Sequence, residues 1–163
     1  MKILITYYSR TGVNESVCKS LQSKLDCDIE PIIDTKNRKG LWGLLICGFD
    51  ATFKKMSKIG AIEKDPGNYD LVIVSTPIWA GTITPAIRTY VFENKDKFKK
   101  VAFLSVSGSG EENKKVLPDF ESLANKKVIT SLLLRRWAVR KGTHQEKVES
   151  FVKEILSQDK EIK

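Results

Sequence analysis

The sequence predicts an α/β fold, a doubly wound, five-stranded parallel sheet with helices on both faces. Three observations carry this. The apolar runs at residues 3–5, 71–74 and 101–104 are continuous rather than alternating, as in strands covered on both sides. Segments with apolar residues about four apart lie between the strands, which is helical spacing. Strands and helices alternate along the whole chain, and short loops rich in hydroxyls and glycine follow the strands.

Taken in order, Ile3-Leu4-Ile5-Thr6-Tyr7-Tyr8 is the first strand, and Val13, Val17, Cys18, Leu21 and Leu25 form one face of the helix after it. Ile29 to Ile33 reads as a short strand, and Pro31 points to an edge position because it cannot donate to a ladder. From Gly40 the residues Leu41, Leu45, Phe49, Phe53 and Met56 make one helical face. Trp42, Leu44 and Ile46 leave this helix, at 41–56, apolar nearly all round. Deep packing against the sheet accounts for that composition; a wall beside a ligand or a self-association surface is the alternative. Asp65-Pro66-Gly67 is a turn before the third strand, Tyr69 to Ser75. Thr84 suits an N-cap and Pro85 a first helical residue, ahead of Ile87, Tyr90 and Val91. The fourth strand is Lys100 to Ser107. Val116, Leu117, Phe120 and Leu123 follow as a helix, with Pro118 in its first turn or kinking it. Val128 to Leu134 is the last strand, and Thr143 with Glu146 predicts a capping box for a final helix facing the core through Val148, Phe151, Val152 and Ile155.

Composition narrows the function classes. A chain of 163 residues, 41% hydrophobic, is long enough for one domain, 1–163, with a substantial core. No apolar run approaches the ~20 residues of a membrane span, and Met1-Lys2 leads directly into a strand without a signal-peptide pattern, so a cytoplasmic location is expected. Cys18, Cys27 and Cys47 are odd in number and form no C-x-x-C, which points to reduced thiols rather than a disulfide framework or a zinc site. His144 is the only histidine, which removes a multi-histidine metal cluster, and no metal is expected. Net charge is +8, with basic clusters at Lys95, Lys97, Lys99 and Lys100, at Lys114 and Lys115, at Lys126 and Lys127, and at Arg135, Arg136, Arg140 and Lys141. Such clusters can meet nucleic acid, an acidic protein or anionic lipid. Most lie at element ends, and no aromatic-interleaved basic strand occurs, so nucleic acid is not the expected partner.

The loop Ser9-Arg10-Thr11-Gly12-Val13-Asn14 is the first candidate site. A helix start presents unpaired N–H groups and the positive end of a dipole to an anion. The loop is not G-x-x-x-x-G-K-[ST], which argues against a nucleoside triphosphate, and not G-x-G-x-x-G, which argues against a dinucleotide. Side-chain donors at Ser9, Thr11 and Asn14, a tight turn at Gly12 and successive amides suit one terminal phosphate monoester. Ser9-x-Thr11-Gly12-x-Asn14 after a first strand resembles the phosphate loop of the flavodoxin family, which holds the monophosphate of FMN. Arg10 either pairs with that phosphate or points to solvent.

The resemblance implies a strand order 2-1-3-4-5, with the ligand between the first and third strands. The segment Thr76-Pro77-Ile78-Trp79-Ala80-Gly81-Thr82 resembles the family's loop against the isoalloxazine ring, with Trp79 beside the flavin. By the same resemblance, Ser107, Gly108, Ser109 and Gly110 would contact its pyrimidine side. This chain departs from acidic flavodoxins in being basic and in lacking an aromatic in that third loop, so one flavin face is open, or covered by the Trp42 helix or a partner. Positive charge near a flavin favours its anionic reduced form. The resemblance therefore implies an FMN flavoprotein in electron transfer or oxidoreductase chemistry, with the flavin rather than a side chain as the reactive group. Its partner would be a redox protein or a small acceptor, and a homodimer is compatible with the apolar helix. An NAD(P)H-dependent reductase of quinones or similar acceptors is the alternative, and a flavin-free domain using its basic surface is a further one.

Overall fold

The computed structural model describes residues 1–37, 40–108, 110 and 115–160. Its strands are β1 (Ile3–Tyr7), β2 (Asp28–Pro31), β3 (Leu71–Trp79), β4 (Thr82–Ile83), β5 (Val101–Ser107) and β6 (Val128–Arg135). Its helices are α1 (Val13–Leu25), α2 (Gly40–Thr52), α3 (Pro85–Asn94), α4 (Val116–Ala124), α5 (Arg136–Lys141) and α6 (Gln145–Lys160). The main sheet has the order β2-β1-β3-β5-β6, all parallel, and β4 pairs antiparallel with the end of β3. Apart from β4 this is the expected order, with β2 at one edge carrying Pro31.

Alternate residues of the central strands feed two cores, as the period of a strand requires. Ile3, Ile5, Leu71, Ile73 and Leu104 pack under α1 and α6, where Val17, Leu21, Phe151 and Ile155 meet them. Leu4, Val72, Val74, Val101 and Phe103 pack under α3 and α4 against Ile87, Tyr90 and Phe120. Each fully buried aliphatic side chain here stabilises the fold by roughly 1.5–3 kcal/mol, which is what holds a parallel sheet whose strands are not joined by tight turns. Burial pushes the Cys18 thiol up to about 12, with Ser75 opposing the shift, so this cysteine is an inert part of the core.

Three expectations are corrected. Deep packing against the sheet does not hold for the face that carries Leu45, Phe49 and Phe53, which looks outward, and Phe53 and Met56 lie beyond the end of α2 at Thr52. Gly43, Cys47, Asp50 and Ala51 are the buried side, because small residues let the helix approach closely and Asp50 takes Lys36 Nζ at 2.8 Å. The side chains of Leu41, Trp42 and Leu44 lie outside what the structure describes. Second, α6 begins at Gln145, so Thr143 precedes the cap position, and its hydroxyl donates to Ala138 O at 3.5 Å. Third, Thr76 to Trp79 are not loop: β3 runs through them and folds back into β4 across Ala80 and Gly81.

Both turn residues have positive φ, +46° at Ala80 and +76° at Gly81, which is the type I′ hairpin turn matched to strand twist. Alanine is costly there, because its Cβ crowds the carbonyl in the left-handed region. Ala80→Asn is therefore expected to raise stability by about 1 kcal/mol in urea unfolding. Gly110, at φ +63°, is the opposite case: an added Cβ would stand 2.4 Å from Arg135 Cγ and 3.2 Å from Arg135 N. Gly110→Ala should destabilise by about 2 kcal/mol or more, and an unchanged unfolding midpoint would refute the close approach of this loop to β6.

Candidate functional site

The site begins with the pairing of β1 and β3, which sets Tyr7 opposite Ser75. The chain then leaves both strands at their carboxyl ends, where the sheet order turns from β2 on one side to β5 on the other. Crevices form at such switch points because the connections diverge to opposite faces.

On one side is the start of α1. Gly12 precedes the helix at φ +79°, a conformation glycine adopts without a Cβ penalty, and Ser16 N–H donates the first helical bond to Gly12 O at 2.9 Å. Ser9 Oγ accepts the Glu15 N–H at 3.2 Å, leaving the Ser9 O–H available as a donor, while the first amides of α1 have no intrahelical acceptor. Thr11 is exposed at the loop tip. Asn14 differs from its expected role as a phosphate donor: it is 2% exposed, and its Nδ2 donates to Tyr8 O at 3.1 Å and Ser75 Oγ at 2.7 Å. Its side chain fixes the loop to β3. The side-chain donors this segment presents to the crevice are then Ser9, Arg10 and Thr11, beside the helix amides.

On the other side is the β3–β4 hairpin. Trp79 is half-buried and stands edge-on to Tyr8, with ring centroids 5.7 Å apart and planes at 85°. Tyr8, itself buried, supports the tryptophan from below. The neighbouring hydroxyls are turned inward. Thr76 Oγ1 lies 3.1 Å from Thr84 Oγ1 and accepts the Thr84 N–H at 3.3 Å, securing the start of α3. Thr82 Oγ1 accepts from buried Arg88 at 2.7 Å and donates to Asp119 Oδ2 at 3.2 Å. Burial alone would raise the Asp119 carboxyl, but Lys54 and Arg88 outweigh it and hold the group below its ordinary value. Ile78 is half-buried, and Ala80 and Gly81 are exposed at the turn.

A cleft of about 110 Å³ joins the two sides, lined by Ser9, Arg10, Thr11, Val13 and Asn14, by Pro77 and Trp79, by Val106, and by Arg136. Of the β5 loop, the described residues Ser107, Gly108 and Gly110 are not among those that line it. Ser107 is buried, and its Oγ accepts the Gly110 N–H at 2.8 Å; Gly108 is exposed, and Ser109 lies outside the described residues. Arg136, the first residue of α5, was legible only as one of a basic cluster. The available signal was its place directly after the last strand, since ligands collect at the carboxyl ends of strands.

Among the described residues that line the cleft, the charge is of one sign. Arg10 and Arg136 contribute two guanidinium groups, and no carboxylate is among the described residues that line the cleft. Hydroxyls, helix amides and arginines in one small cleft are a donor set for phosphate. Ligand pockets generally measure about 300–1,000 Å³, so this cleft suits the anionic end of a molecule, whose flat remainder would rest on the rim beside Trp79. No group of three or more potential metal ligands occurs among the described residues.

No protein-family model matches the chain, and no curated protein matches it in sequence. Solved structures do match in fold. A flavoprotein from Lactobacillus acidophilus NCFM, determined in complex with FMN, superposes with a TM-score of 0.69 at 23% identity, over 86% of this chain and 97% of that one. The oxidised Flavodoxin 2 from Bacillus cereus gives 0.59 at 16% identity, over 97% of this chain and 99% of its own. A flavodoxin from Streptococcus pneumoniae TIGR4 gives 0.57 at 15% identity, with the same coverage. Strand order and whole-chain superposition agree: this chain has the flavodoxin-like fold.

Proposed function

We propose that the chain binds FMN in this crevice and acts in electron transfer or oxidoreductase chemistry. The observation that carries the reading is the phosphate-type donor set of Ser9, Thr11, Arg10 and Arg136 beside Trp79, at the switch point of the sheet. The Lactobacillus acidophilus flavoprotein, similar over most of its length, was determined with FMN.

Bound FMN would supply the capacity to accept and pass on electrons; the protein's task is binding, orientation and electrostatics. The α1 amides, Ser9 and Thr11 would hold the phosphate, with Arg10 and Arg136 neutralising its charge. Trp79, braced by Tyr8, would cover one side of the ring. The two arginines would also favour reduced, anionic flavin over the same flavin in an acidic site.

Trp79 is the only aromatic among the described residues that line the cleft. A reductase of a small acceptor, which needs an accessible ring face, is the alternative to a carrier served by a partner protein. No helix of the described chain is long and apolar enough to cross a membrane.

The purified protein, titrated with FMN, is expected to show flavin absorption bands shifted from those of free FMN. Replacing Ser9 and Thr11 together by alanine should weaken binding by about tenfold to a hundredfold, the value of one or two hydrogen bonds to a charged group, and Arg136→Ala by about tenfold. Affinity unchanged in both variants would sink the assignment. Anaerobic bleaching by NADH or NADPH would identify a nicotinamide-dependent reductase, and reduction by dithionite alone would identify a carrier.

A further inference from the structure

The outward face of α2 is apolar, aligned and uncovered. Leu45 is 60% exposed, Phe49 54%, Phe53 63% and Met56 49%. These are four large side chains in one line along the helix and the turn that closes it, not scattered single residues. They sit on a fixed support. Lys55 N–H donates to Asp50 O at 2.8 Å and Lys54 N–H to Ala51 O at 2.9 Å, the paired bonds of a Schellman cap, with Lys54 in the left-handed conformation at φ +49°. Beyond the cap, Ser57 N–H donates to Thr89 Oγ1 at 3.1 Å, and the Thr89 hydroxyl donates back to Ser57 O at 2.8 Å, so the turn is tied to α3. The Phe49 and Phe53 rings lie 4.7 Å apart.

The stripe is flanked by cations. Between residues 36 and 58 the sequence has Lys36, Arg38, Lys39, Lys54, Lys55 and Lys58 against a single acid, Asp50. Asp50 is 4% exposed and bonded to Lys36, so it offers no negative charge at the surface. Lys54 is exposed but paired with Asp119; Lys55 and Lys58 are exposed, and Lys55 Nζ stands 4.6 Å from the centre of the Phe49 ring.

What covers such a face follows from its chemistry. A second copy docking through the same face would set two basic rims against each other, because a two-fold contact pairs a patch with itself. A protein partner ordinarily makes about one hydrogen bond per 100–200 Å² of interface. The stripe itself presents only hydrocarbon and a thioether, and the adjacent Thr52 hydroxyl is turned back onto Gly48 O at 2.8 Å. An anionic lipid surface matches both features: apolar side chains enter the acyl boundary while lysines remain at the phosphates. We propose that α2 and the turn through Lys58 form an interfacial anchor that docks the chain on bilayers containing anionic lipid. Because α2 packs against the β3–β4 hairpin, docking would also bring the crevice beside Trp79 toward the headgroups.

The test is flotation of the purified protein with vesicles of phosphatidylcholine alone, or of equal parts phosphatidylcholine and phosphatidylglycerol, at physiological salt. Binding to the anionic vesicles only is expected, with a fall of about tenfold or more in partitioning for Phe49→Ser with Phe53→Ser. Lys55→Glu with Lys58→Glu should lose it likewise. Thermal melting checks that the variants fold, and Leu45→Ser serves if the double variant does not. Recovery with neither vesicle would overturn the proposal. So would binding that the phenylalanine variant retains, which is adsorption by charge alone, or a dimer in sedimentation that the phenylalanine variant dissociates.

Discussion

The parallel pairing of β1 with β3 is the contact on which the site depends, and a single amide secures its end. Tyr7 and Ser75 lie opposite one another in the ladder, and Tyr8 N–H continues it to Ser75 O at 3.1 Å. Asn14 Nδ2 then bridges Tyr8 O and Ser75 Oγ. A buried amide that lost these acceptors would cost more than the bonds themselves contribute, so the first turn of α1 is held against β3 with little freedom. The helix amides, the Ser9 hydroxyl and Trp79 inherit their relative positions from that junction.

A second junction fixes the opposite wall. Arg88 is 5% exposed, and its guanidinium meets Thr82 at 2.7 Å and Asp119 at 3.3 Å, while Lys54 approaches the same carboxylate. Hairpin, α2, α3 and α4 therefore converge on one ion cluster. A buried charge is tolerable only with partners in place, so the cluster specifies a single arrangement of these elements even where its net contribution to stability is small. It also explains why Thr82, next to the crevice, faces away from it. The hairpin must be held by its own side chains before Trp79 can serve as a wall.

Much of this was legible in the residues. Continuous apolar runs gave the buried parallel strands, Pro31 gave the edge, Pro85 gave a helix start, and of the two places open to Pro118 the first turn of α4 is the one it takes. The errors share one cause. For Leu45, Phe49 and Phe53 the residues left deep packing and an exposed surface both open, because hydrophobic spacing marks a face without saying whether anything covers it, and here the smaller face of α2 won the sheet. Asn14 and Thr143 were assigned by residue type, yet a side chain with several possible partners takes the one that the fold brings nearest.

The sequence by itself determined the order of strands and helices, the glycine turn that opens α1 and the position of Trp79 in the chain. These follow from local properties: period and turn chemistry. Tertiary structure alone decided which hydroxyls face the crevice, that Arg136 joins Arg10 across it, and that Leu45 and Phe49 of α2 stand in solvent. Each of these depends on which of two competing contacts is reached first by elements distant in the chain, a choice made by packing and not by any window of residues.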